Sequence, residues 1–192
     1  MRDWLETCSQ AHPSCKGNTE DEFLPARLVY LGQNLEDPEP PRLVVTREAI
    51  AQSPEQSFAY VALSYCWGTA LGKTVPKTTK STLASHTQGL DLKTLPKTFR
   101  DAMEVSRRLK CHYIWIDSLC IIQDDTDDFE RECSDMHRIY SSAYCTISVS
   151  RLTKTLYCLM LKTINRLQMQ LMGTKAAFYL ETLLYQTCAS SV

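Results

Sequence analysis

The stretch YIWIDSLCIIQDD, residues 113–125, runs four apolar or aromatic residues straight into Asp117. Gln123, Asp124 and Asp125 follow within a few positions. A carboxylate at the end of a greasy strand sits on a rigid mount, where burial disfavours its charged form. Such a group can serve as a base or stabilise developing positive charge. Glu132 is the second candidate of this kind. It lies three residues after Phe129 and four before Met136, so it borders the apolar stripe of a helix. For both residues the alternative is a structural hydrogen bond to a neighbouring loop. Most of the other acids nearby, Asp124, Asp125, Asp127, Asp128 and Glu130, read as caps or solvating charges at a helix start, where the helix dipole favours negative charge.

Three further motifs carry less. GTALGKT, residues 68–74, follows a strand as a phosphate loop does, but it has three residues between its glycines where that loop needs four. Pro76 also follows too soon for a helix to begin. Cys8, His12 and Cys15 are ligand types for zinc, with Cys111 or His112 as distant fourth partners. A structural zinc site shows its ligands as two close pairs, so no metal is assigned. Cys66 and Cys120 each follow a strand, and His86, His112 or His137 would have to supply a base. A buried cysteine is more simply a small hydrophobe.

The elements that must position these residues follow from periodicity. Trp4, Leu5 and Cys8 are spaced as on a short amphipathic helix. ARLVYLG and PRLVVT read as short strands around the linker QNLEDPEPP, and YVALSYCWG as a strand buried on both faces. Residues 69–91 read as a long surface loop with a short helix at STLASHT. LPKTFRDAMEVSRRL puts Phe99, Ala102, Met103 and Leu109 on one helix face, with Pro96 in the first turn. CHYIWID is the next strand. DDFERECSDMHRIYSS opens with Asp127 three before Glu130, like a capping box, and aligns Phe129, Met136 and Tyr140. YCTISVS is a third strand.

Strands alternating with helices predict an α/β domain with a mainly parallel sheet flanked by helices. In such sheets ligands bind at the carboxyl ends of the strands. Tyr65, Trp67 and Gly68 end one strand and Asp117 another. Together with Ser118, Gln123 and Asp124 they are the candidate ligand-binding residues, with Glu132 and Asp117 as candidate catalytic residues.

Bulk composition narrows the function classes. The 192 residues suffice for one good core, and 44% apolar with 22% charged residues argues against disorder. A net charge of −1 offers no electrostatic footprint for nucleic acid or an anionic membrane. The polar N-terminus lacks the apolar region of a secretory signal, and nine cysteines, an odd number, fit a closed disulfide framework poorly. The longest apolar tract is interrupted by Lys162, Asn165 and Arg166, too soon to span a bilayer. A cytoplasmic protein is expected.

YVALSYCWG, LPKTFRDAMEVSRRL and YIWIDSLCIIQDD, followed by Glu132, Met136, Ile139, Tyr140 and TISVS, together resemble the fungal heterokaryon-incompatibility (HET) domain. WLETCSQAHPSC and LPARLVYLG look like the segment that often precedes it. The resemblance implies a leader over 1–57 and a domain core over 58–150, and the tail over 151–192 diverges from it, with helical spacing but no family motif. After Ser150 the family pattern is expected to stop, leaving the sheet without its last strands. The implied function is fungal self/non-self recognition and programmed cell death. The implied partners are other incompatibility or cell-death proteins, or further copies of the chain. The fold implied is similar to that of Toll/interleukin-receptor (TIR) domains, a flavodoxin-like sandwich. Some TIR domains cleave NAD with a glutamate on a helix before a late strand, and Glu132 occupies such a helix. NAD would then be a substrate, not a bound cofactor, with Asp117 and Trp67 lining its pocket and Trp67 stacking on it. A non-catalytic self-association module is the alternative.

Overall fold

The computed structural model describes residues 23–33, 39–65, 75–150 and 157–161. In chain order the elements are β1 (Arg27–Tyr30), β2 (Arg42–Val45), α1 (Thr46–Gln52), β3 (Tyr60–Tyr65), α2 (Leu83–Gln88) and α3 (Lys97–Arg108). They continue with β4 (Tyr113–Ile116), α4 (Asp117–Cys120), α5 (Thr126–Ser134), α6 (Met136–Ser142), β5 (Cys145–Ser150) and β6 (Tyr157–Leu161). Among the described residues no helix is long and apolar enough to cross a membrane.

The strands form one six-stranded sheet in the order β2-β1-β4-β3-β5-β6. Its centre is parallel as expected: β3 pairs with β4 (Val61↔Ile114, Leu63↔Ile116) and with β5 (Ala62↔Thr146, Ser64↔Ser148). The sheet as a whole is mixed, not mainly parallel, because β1 runs antiparallel to both β2 and β4, and β6 antiparallel to β5. Connection length explains the difference. A parallel return needs a crossover of about a dozen residues or more, usually a helix. Residues 151–156 are too few for one, and the Pro-rich 31–41 segment has no helical pattern. Tyr157–Leu161 is thus a strand within the region where helical spacing predicts a helix.

Helices cover both faces. Successive side chains of a strand point to opposite sides. On one side the Tyr65 ring meets Phe99 of α3 edge-on, with centroids 4.9 Å apart. On the other, the Tyr60 hydroxyl donates to the Ile139 carbonyl of α6 at 2.5 Å, and Trp115 meets Tyr140 edge-on at 5.5 Å. β1 and β4 are buried along their whole length.

The stripe expected on α3 is the one it buries: Phe99, Ala102 and Met103, followed by Leu109. Truncating Phe99 to alanine would cost about 3–5 kcal/mol. Pro96 stands just before the first turn rather than in it, and its carbonyl accepts from Phe99 and Arg100. The helix ends where Lys110 turns to φ 61°. The Cys111 N–H then returns to the Ser106 carbonyl and the Lys110 N–H to that of Arg107, which closes a Schellman motif.

Two expected boundaries move. The helix after Asp124 starts at Thr126, capped by the Asp125 carboxylate, which accepts from the Asp128 N–H at 3.3 Å. The capping pair is therefore Asp125 and Asp128, not Asp127 and Glu130. The helix also breaks at Asp135, which ends α5 and begins α6. Within the expected loop at 69–91, Thr78 is fully buried and α2 lies where STLASHT predicted a short helix.

Candidate functional site

The carboxyl end of the parallel centre carries the first group of candidates. Asp117 follows β4 directly and opens the single turn α4. Its carboxylate accepts from the Ser118 N–H at 2.6 Å, an arrangement that short acidic side chains favour at a helix start. Ser118 is fully buried, and its Oγ accepts from the Tyr65 hydroxyl at 3.0 Å. Burial first, and then the Asp117 carboxylate, push the Tyr65 phenol far above its ordinary range. Tyr65 is therefore a fixed donor and not a base.

Gln123 turns back on the same turn. Its amide donates to the carbonyls of Asp117 and Ile121, both at 3.3 Å. Asp124 is occupied by a neighbouring segment, since its Oδ1 accepts from the Lys80 N–H at 2.7 Å. Lys80 Nζ also meets Asp125 at 3.2 Å. Thr78 completes the attachment. It receives a backbone bond from Gln123, gives one to Ser118, and donates its hydroxyl to the Leu119 carbonyl at 2.6 Å. The same hydroxyl oxygen accepts from His86 Nδ1 at 2.8 Å, a tautomer fixed by the hydroxyl's own donation. Burial lowers the His86 pKa, so the ring is neutral at pH 7.

Glu132 belongs to a second group, centred on Arg27. The register of β1 against β4 (Val29↔Ile114) sets the start of β1 beside the carboxyl end of β4. Arg27 Nε donates to the Cys120 carbonyl at 2.6 Å, and its guanidinium pairs with Asp128. Asp128 also accepts from the Ile122 N–H at 2.9 Å and from Arg131. Asp128 and Glu132 stand one turn apart on α5, each only 4% exposed. Glu132 Oε1 is 4.0 Å from Arg131 Nε, and its buried Oε2 has no hydrogen-bond partner among the described residues. Burial raises the Glu132 pKa and Asp128 adds to the rise, while Arg27 and Arg131 oppose it.

The turn α4 joins the two groups. Its Ser118 belongs to the first, its Cys120 carbonyl to the second, and the Cys120 thiol feels the carboxylates of both Asp117 and Glu132. The structure thus brings Tyr65, Asp117, Ser118 and Gln123 together, and sets Glu132 with Arg27 and Asp128. Trp67 and Gly68 lie outside the described residues, as do Cys66, GTALGKT, and Cys8, His12 and Cys15. Among the described residues no group of His, Cys, Asp and Glu could hold a metal ion. Cys120 is no nucleophile at neutral pH. Its thiol accepts from the Ile116 N–H, and burial pushes its pKa up to about 12.

Sequence reasoning missed Arg27 and Thr78, and took Asp128 for a solvating charge. An arginine heading the otherwise apolar RLVY was one usable signal. The spacing of Asp128 and Glu132, four apart and hence on one helix face, was the other.

Helices on both faces of a sheet with a parallel centre, and polar side chains gathered at its carboxyl ends, define an α/β domain with a strand-end site. The family model of the heterokaryon incompatibility protein (HET) matches residues 60–183, more than half of the chain. The chain belongs to the heterokaryon incompatibility family. The match continues well past Ser150, so the family pattern does not stop there. Comparison with curated proteins and with solved structures gives no match.

Proposed function

We propose that this chain acts in fungal self/non-self recognition as a cell-death signalling domain, and that it does so by hydrolysing the nicotinamide–ribose bond of NAD. One observation carries the reading: Glu132 Oε2 is a buried acceptor with no partner among the described residues, at the strand-end side of an α/β sheet. A buried acceptor left unpaired costs about 1–3 kcal/mol, and a ligand group that pairs with it removes that cost. Ionised Glu132 would stabilise positive charge at the ribose carbon as the C–N bond breaks and nicotinamide leaves. Water then attacks that carbon, giving ADP-ribose and a proton. Asp117, Ser118 and Tyr65 would line the approach.

A second reading is self-association without catalysis. It is favoured by β6, which stands at the edge of the sheet among the described strands. An edge strand offers unpaired backbone groups to another chain.

The test follows NAD loss and nicotinamide release by the purified chain beside Glu132→Gln. Turnover by the wild type, with a fall of about a hundredfold or more in a folded variant, is the expected result. No turnover by folded wild type transfers the assignment to self-association, which sedimentation then measures.

A further inference from the structure

We infer that Arg27 is a positioning residue for Glu132, so that the leader strand β1 is part of the functional unit although it precedes residue 60, where the family match begins. The inference rests on the reading of Glu132 as the reacting carboxylate.

The geometry comes first. β1 is not an appendage: it lies inside the sheet between β2 and β4, with every residue buried. Arg27 is 7% exposed and spends its donors on the Cys120 carbonyl and the Asp128 carboxylate. It thereby ties α4 to α5, the two elements that carry Asp117 and Glu132.

The charges come second. Among the described residues, the titratable groups acting on Glu132 are Arg27 from β1, Cys120 from α4, Asp128 and Arg131 from α5, and Asp135 just after it. Two are cations. Arg131 has a side chain 55% exposed, so solvent screens it, whereas Arg27 is buried and acts through a poorly polarisable surrounding. Without Arg27, Asp128 and Glu132 would be two buried carboxylates on adjacent turns, and the like charge of Asp128 would disfavour ionised Glu132 further. Arg27 thus holds α5 in place and keeps Glu132 able to ionise.

The experiment compares the full chain with Arg27→Gln, which removes the charge but keeps a donor, and Arg27→Lys, which keeps the charge. Two quantities are read: the Glu132 carboxyl titration by carbon NMR, assigned through Glu132→Gln, and the pH dependence of NAD turnover. Arg27→Gln is expected to move the Glu132 midpoint, and the acid limb of the rate profile, up by about one pH unit or more. Arg27→Lys is expected to restore most of both. Should Arg27→Gln not fold, Asp128→Asn replaces it and is expected to move the midpoint down. A midpoint that stays put in the folded variant overturns the proposal. So does a rate that falls equally at all pH values, the mark of a purely structural role. A wild type without turnover refutes the NAD reading alone, since the NMR titration still decides what Arg27 does to Glu132.

Discussion

The Tyr65 hydroxyl donates to Ser118 Oγ at 3.0 Å across 53 residues of chain, and so stitches together the carboxyl ends of β3 and β4. These are adjacent parallel strands whose last paired residues are Leu63 and Ile116. Beyond that pair the backbone ladder between them ends, and side chains take over its work. The same end is tied from below by Thr78, which gives and receives backbone bonds on the turn after β4. Ser118 and Asp124 at this end are held by distant parts of the chain, Tyr65 and Lys80.

Tyr65→Phe tests the stitch. The ring, with its edge-on contact to Phe99, is retained, and what is lost is the hydroxyl that donates to Ser118 and also interacts with the Asp117 carboxylate. The expected loss is about 1 kcal/mol, the usual net worth of one hydrogen bond, read as a lower urea midpoint. An unchanged midpoint would show that the hydroxyl contributes nothing to stability.

Thr78→Val removes a hydroxyl and keeps the shape. It leaves the fully buried Leu119 carbonyl, and the half-buried His86 Nδ1, without their partner. Unsatisfied buried groups are costly, so a loss of about 1–3 kcal/mol is expected. Val at this site should therefore cost more than Phe at position 65, and urea melts of the two variants side by side decide it.

Lys110→Gly should stabilise the protein. Lys110 sits at φ 61°, a conformation that crowds any residue with a Cβ. Glycine removes that cost but gains freedom in the unfolded chain. The net gain expected is about 0.5–1 kcal/mol, seen as a raised urea midpoint with unchanged slope. A lower midpoint would show that the Lys110 side chain contributes more than its backbone costs.

Why some of this was legible in the sequence and some was not has a physical reason. Apolar runs in β3, β4 and β5 and the 3.6-residue stripe of α3 are local patterns, so the parallel centre and its covering helix could be read directly. Strand direction at the edges depends on connection length, and the tail's mixed pattern does not distinguish Tyr157–Leu161 as a strand. Asp117 was found because four apolar residues precede it. Arg27 was not, because its value comes from Asp128 and Cys120, which are remote in sequence. Thr78 was hidden in a Thr/Lys/Ser-rich stretch whose composition says surface, although its hydroxyl is buried against α4.

Cys120 makes the alkaline limb of stability measurable. The thiol ordinarily ionises near 9, and burial moves it up to about 12 in the fold. Between those values the folded chain holds a proton that the unfolded chain releases, so stability falls as pH rises. The slope from this one group is about 1.4 kcal/mol per pH unit, and Cys120→Ala is spared it. At pH 8 the variant is expected to be the less stable, through its lost packing. The gap should close as pH climbs above 9, and a constant gap in urea melts at pH 8, 9.5 and 11 would contradict the assignment.

Glu132→Gln carries the corresponding test for the candidate site. Burial, aided by Asp128, raises the Glu132 pKa in the fold above its value in the unfolded chain. In the window between the two, the folded chain binds more protons than the unfolded one. The contribution of this residue to stability is therefore full at acid pH and is lost as pH rises through the folded value. A glutamine cannot ionise and escapes that loss. Relative to wild type, the urea midpoint of Glu132→Gln is expected to rise from pH 4 to pH 7. The same substitution should abolish NAD turnover, so a variant that is more stable and inactive would mark Glu132 as a carboxylate kept for its chemistry at the expense of the fold. A relative midpoint that instead falls between pH 4 and pH 7 would mean that Arg27 holds Glu132 charged more strongly than burial holds it neutral.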